Sequence, residues 1–238
     1  MVPIMIRFRE VSRLEGFSDA VFGFALTLLV VQLETPMDMA ELRNLAGSFL
    51  PFSLTFAMVT WIWYLHNQFF RRYGLQDAWT VFLNSSLLFV VLFYVFPLKF
   101  LALALVGPLT MTSGIPDKTG INGPMLMTLY SGGVLYIFTT FVLLHIHAWS
   151  KRTELGLTRP EEVQLNFGLR GHVISAALAV VSLFLVWLMP NRTGWAGMVY
   201  GLMGPLHGWN GYMAGRAQAR LAQQAQRPAP GTEHPTDA

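Results

Sequence analysis

Long apolar runs separated by short polar connections recur along the chain. A helix needs about 20 mostly apolar residues, at about 1.5 Å of rise each, to cross a hydrocarbon core of roughly 30 Å. Such runs lie at Gly16 to Leu33, Leu45 to Phe70, Thr80 to Leu105, Met125 to Trp149, His172 to Met189 and Gly194 to Met213, the last being the weakest because it is rich in Gly. The pattern predicts an all-α polytopic membrane protein with about six transmembrane helices per chain. Residues 1–213 are expected to form a single transmembrane domain. Residues 214–238 are polar and are expected to form a disordered cytoplasmic tail.

The polar positions inside and between these runs sharpen the picture. The first run follows Arg7 and Arg9 as a signal peptide would, yet it carries Asp19 and ends at Gln32-Leu33-Glu34-Thr35-Pro36 with no small-residue cleavage site, so it reads as a retained helix. Alternate connections differ in Lys and Arg: a cytoplasmic N-terminus leaves only Arg43, Lys99, Lys118 and Arg192 on the far side. That asymmetry fits an even number of spans with both termini cytoplasmic. The connection from Ser150 to Gly171 contains Thr158, Pro160, Glu161 and Glu162 in helix-starting order and is expected to form a short interfacial helix. Gly197, Gly201, Gly204 and Gly208 mark a small-residue face on the last run, suited to close helix contact.

Composition narrows the function classes. Of 238 residues 53% are hydrophobic and 12% charged, about half the charged share of a soluble domain, and there is no cysteine. Thiolate chemistry and disulfides are therefore excluded. The net charge of +3 sits in particular connections and points to membrane topology rather than to a nucleic-acid partner. No nucleophile–base pair or metal-ligand set converges on one face: His145 and His147 are two apart, roughly 200° around a helix, and His172 and His207 stand alone. No enzyme, cofactor or soluble partner is expected.

The strongest local signal opens the first run. Asp19 inside an apolar span costs about 2.5–3.5 kcal/mol on insertion scales and so requires a partner or a wet cavity. Arg13 lies roughly 240° away around the helix and cannot reach it directly. Trp63, His66 and Asn84 fall at the same cytoplasmic depth on the next two spans, and an indole, an imidazole and an amide could satisfy Asp19 and Ser18. Further along, Ala20, Phe24, Thr27 and Val31 follow a 4, 3, 4 spacing that makes one stripe. The stripe either packs on another helix or lines a pore.

Arg13-x-x-x-Phe17-Ser18-Asp19-Ala20, followed by Thr27-Leu28-Leu29-Val30 and by Trp63-x-x-His66, resembles the signature of the endolysosomal potassium channel family and its prokaryotic branch. The resemblance implies a homotetrameric, potassium-preferring cation channel of the cell membrane, with potassium as the permeant ion and no other metal. It also implies the absence of a re-entrant filter loop of the Thr-Val-Gly-Tyr-Gly type. In that family the first helix lines the pore, and an Ile or Leu five residues after the motif Asp forms the narrowest ring; here that position is Phe24. Thr27 would supply a hydroxyl layer and Val31 a second apolar layer. The alternative class is a proton-coupled secondary transporter using Asp19 and His66. Against it, the chain has no evident inverted repeat.

Overall fold

A computed structural model of the chain describes residues 10–31, 36–110 and 122–225, and within 104–110 and at 225 the backbone alone. Among these residues regular structure is helical throughout: α1 (Arg13–Val31), α2 (Met39–Gly47), α3 (Phe49–Tyr73), α4 (Ala78–Thr110), α5 (Gly123–Ser150), α6 (Arg159–Leu188), α7 (Thr193–Met198) and α8 (Met203–Ala225). Five of them, α1, α3, α4, α5 and α6, are long and apolar enough to cross a membrane.

The helix ends follow from local chemistry. Asp38 caps α2 by accepting the Glu41 amide (2.7 Å), and Asn122 caps α5 by accepting that of Met125 (2.9 Å). Gly74, with φ of 56°, closes α3 in the left-handed conformation that a Cβ disfavours. At α6 the Thr158 amide donates to the Glu161 carboxylate (2.7 Å), Pro160 occupies the first turn, and the helix then runs unbroken for 30 residues. The expected interfacial helix is thus the first part of this span, because nothing between Glu162 and His172 terminates a helix once it is capped.

Two other expectations are corrected. Leu45 belongs to α2, which ends at Gly47 before α3 begins at Phe49. The last expected span is not one α-helix: α7 is followed by a 3-10 segment, Val199–Leu202, before α8. Gly194, Gly197, Gly201 and Gly204 lower helix propensity across this stretch, where a tighter helix is a common compromise. The small-residue face expected there meets almost nothing within the chain, since a Cβ at Gly201, Gly204 or Gly208 would find no atom within 4 Å. The expected tail from 214 is helical as far as Ala225, carried on Ala, Gln, Arg and Leu, all good helix formers; the remainder lies outside the described residues.

α4 packs between α3 and α5, α5 pairs extensively with α6, and α6 carries α7 and α8, with α7 also touching α5. Phe69, Phe70, Leu87, Phe141 and Leu144 are buried at the centre. α1 lies at one edge and packs chiefly against α3 and α4, so among the described residues one side of it is covered and the other is bare.

Candidate functional site

The covered side of α1 carries Ser18, Phe22, Ala25 and Leu29, all buried. The Ser18 hydroxyl donates to the Leu14 carbonyl (2.8 Å) and accepts from the Asn84 amide nitrogen (3.0 Å). The Asn84 amide oxygen lies 2.6 Å from His66 Nε2, and since that oxygen can only accept, the imidazole carries its proton on Nε2. His66 Nδ1 has no hydrogen-bond partner and lies in an aromatic surround, with Phe22 and Phe70 ring centroids 5.5 and 4.5 Å from that of the imidazole. Beside this chain, the Trp63 indole donates to Asp19 (2.7 Å). One amide on α4 therefore ties α1 to α3, and an indole on α3 holds the carboxylate of α1. Asp19 and His66, the pair a transporter would use, bond to different groups.

The bare side of α1 presents Arg13, Phe17, Ala20, Phe24, Thr27 and Val31, all exposed in the chain, with Phe24 at 58% and Val31 at 78%. The Thr27 hydroxyl donates to the Phe24 carbonyl (2.7 Å), so its oxygen is left as an acceptor on that face. No ion pair joins Arg13 to Asp19 among the described residues, in keeping with their angular separation. All the singled-out positions thus divide between the two sides of one helix and the two helices behind it.

Residues 13–94 match the family described as "Endosomal/lysosomal potassium channel TMEM175". The matched stretch contains α1, α3 and every residue of the bonded network. A potassium channel of Marivirga tractuosa is 33% identical over 229 residues, covering 91% of this chain and 93% of the relative. The chain belongs to the TMEM175 family. A potassium channel of Chamaesiphon minutus is 29% identical over 193 residues, covering 75% of this chain and 87% of that one. Among solved structures, a variant of the potassium channel MtTMEM175, crystallised in complex with a nanobody fusion protein, superposes with a TM-score of 0.78 at 30% identity, over 91% of this chain and 98% of that chain. The fold is also that of a TMEM175 homologue from Chamaesiphon minutus (TM-score 0.55, 24% identity, 85% of this chain and 96% of that one). These relatives are channels, not enzymes, and the family together with the apolar helices makes this chain a membrane protein.

Other polar residues take up positions that the family signature does not announce. Glu15 is buried and exchanges bonds with Ser12 (3.1 Å each), and the Ser12-x-x-Glu15 spacing is the capping-box signal that marks the start of α1. His147 (2.8 Å) and Lys151 (3.6 Å) reach Asp77 in the α3–α4 connection. Burial raises the Asp77 pKa, but the bonds from His147 and Thr80 outweigh it and hold the carboxyl well below its ordinary value of 3.8. His145 is buried: its Nδ1 donates to the Phe141 carbonyl (2.9 Å), and its ring meets that of His172 at 4.6 Å. Four-residue spacing on α5 returns His145 to the core face while His147 turns outward. The meeting of α5 with α6 is a tertiary contact that no local pattern in either run announces.

Proposed function

We propose that the chain is the subunit of a homotetrameric, potassium-preferring cation channel of the cell membrane, with both termini cytoplasmic and with the bare side of α1 lining a central pore. The observation that carries this reading is the division of α1: one side hydrogen-bonded and packed onto α3 and α4, the other an uncovered stripe of Phe17, Ala20, Phe24, Thr27 and Val31. In a symmetric assembly each stripe residue becomes a ring. Phe24 rings form an apolar constriction that an ion passes only by losing part of its hydration, and their faces attract a cation by about 0.5–2 kcal/mol. One turn outward, Thr27 oxygens with their protons committed to the backbone offer acceptors to the ion, and Val31 forms a second apolar layer. Arg13 stands at the cytoplasmic mouth. Ser18, Asp19, Trp63, His66 and Asn84 fix the rotation of α1, without which the rings have no defined radius.

The test is cation flux into liposomes under potassium and then sodium gradients. Non-saturating flux that prefers potassium, increased by Phe24→Ala and made less selective by Thr27→Val, is the expected result. Saturable flux strictly coupled to protons would replace the channel with a transporter.

A further inference from the structure

A cavity of about 480 Å³ lies among α3, α5, α6 and α8, well away from the bare side of α1. Its size falls in the range of roughly 300–1,000 Å³ typical of small-molecule sites. At one end it is polar. Arg72 is half-buried there, its Nε has no hydrogen-bond partner, and it takes part in no ion pair among the described residues. The acidic residue that shares a neighbouring crevice with it, Glu161, forms no ion pair with it, and one of its carboxylate oxygens accepts both the amide and the hydroxyl of Thr158 at the start of α6 (2.7 and 2.8 Å). The same cavity is lined by Gln68, by Asn210, whose amide nitrogen donates one N–H to the Phe167 carbonyl (2.9 Å) and keeps the second, and by His172, 8% exposed with an unpartnered Nδ1. A guanidinium without a carboxylate, in partial burial, is a group awaiting an anion.

At the other end the cavity runs into an apolar groove of about 330 Å³, the two sharing Trp61, Phe138 and Met203. The groove continues past Ile62 to Tyr94 and Leu98. From Arg72 to Ala57, the limits of this surface along α3, is 15 residues, or about 22 Å of helix. One leaflet of hydrocarbon is about 15 Å thick, which leaves room for a headgroup at the Arg72 end. A charged pocket continuous with an apolar channel of leaflet length matches an amphiphile and not a free ion or a polar solute.

We propose that this surface binds an anionic phospholipid of the leaflet at the Arg72 end, its phosphate held by Arg72 with Gln68 and Asn210 beside it, and one acyl chain laid along the groove past Trp61 and Met203. The site is separate from α1 and does not depend on where the pore lies.

Native mass spectrometry of the detergent-purified assembly tests it, with phosphatidylglycerol, phosphatidylcholine of the same acyl chains, and inorganic phosphate as probes. The wild type is expected to retain phosphatidylglycerol over phosphatidylcholine by about tenfold or more, because both present a phosphate but the choline cation of the second opposes the Arg72 guanidinium, and phosphate at equal concentration should not displace it. Arg72→Gln should abolish the preference, Arg72→Lys should keep part of it, and Met203→Trp should weaken both lipids by filling the groove while leaving Arg72 untouched. Equal retention of the two lipids by the wild type overturns the proposal, as does displacement by free phosphate or lipid binding unaltered in Met203→Trp. If Arg72→Gln fails to assemble, the wild-type preference and Met203→Trp still decide. A photo-crosslinker at Leu65 that captures a neighbouring subunit in place of lipid would assign the groove to a subunit contact and overturn it equally.

Discussion

At the scale of single residues, Asn84 carries more than its size suggests, because its two amide atoms serve Ser18 on one helix and His66 on another. Asn84→Ala leaves a buried imidazole N–H unpartnered and removes a donor from Ser18. The expected cost is about 1–3 kcal/mol, read as a fall in the melting temperature of the purified assembly. Trp63→Phe keeps an aromatic ring at the position but removes the donor to Asp19 and should cost about 0.5–2 kcal/mol by the same measurement. An Asn84→Ala protein as stable as the wild type would show that the amide merely fills space. Asp77 gives a pH signature. Its pKa is depressed in the folded chain, so its contribution is present above the ordinary carboxylate value of 3.8 and is lost as pH falls through the lower folded value. The deficit of Asp77→Asn relative to wild type should therefore persist from neutral pH to about pH 4 and close only below it, provided that His147 and Lys151, the other titratable groups facing Asp77, keep their places. The partners of Asp19 and Ser18 were legible because an intramembrane carboxylate must be satisfied and the span count fixed which side chains share its depth. Arg72 and the His145–His172 contact were not, since their burial depends on how α5, α6 and α8 come together.

At the scale of elements, the spans were readable wherever an apolar run also had clear ends, as at α5. Departures arose where ends and composition disagreed: a capped start at Thr158 lengthened α6, and glycines broke the last span into α7, a 3-10 segment and α8. Close packing between elements hangs on individual positions that hydropathy does not distinguish. Gly133 on α5 lies against the Tyr94 ring of α4, which a Cβ would overlap, whereas a Cβ at Gly132 meets nothing within 4 Å. Gly133→Ala should therefore destabilise the α4–α5 contact by about 1–3 kcal/mol. Gly132→Ala should leave it unchanged or slightly raise helix stability. Thermal unfolding of the two variants side by side checks this, and equal behaviour would mean that Tyr94 moves aside freely.

At the scale of the whole molecule, the chain covers one side of its first helix and leaves the other bare, a distribution that makes sense only in an assembly or against lipid. The stripe of Ala20, Phe24, Thr27 and Val31 was visible as spacing alone, and spacing could not say whether it faced a packing partner or a pore. The fold adds that none of the described helices of the chain covers it. Family membership rests on the match of α1, α3 and the first half of α4 and on a relative that aligns over nearly the whole chain. Phe24 is the residue on which the proposed pore most depends, since it is the large ring nearest the middle of the bare side of α1. The decisive measurement is the potassium and sodium permeability of wild type, Phe24→Ala and Thr27→Val in the same liposomes. A potassium-preferring wild type, a larger flux in Phe24→Ala and a reduced preference in Thr27→Val are predicted. Permeation unaltered by both substitutions in a properly assembled protein would place the ion path elsewhere and contradict the account.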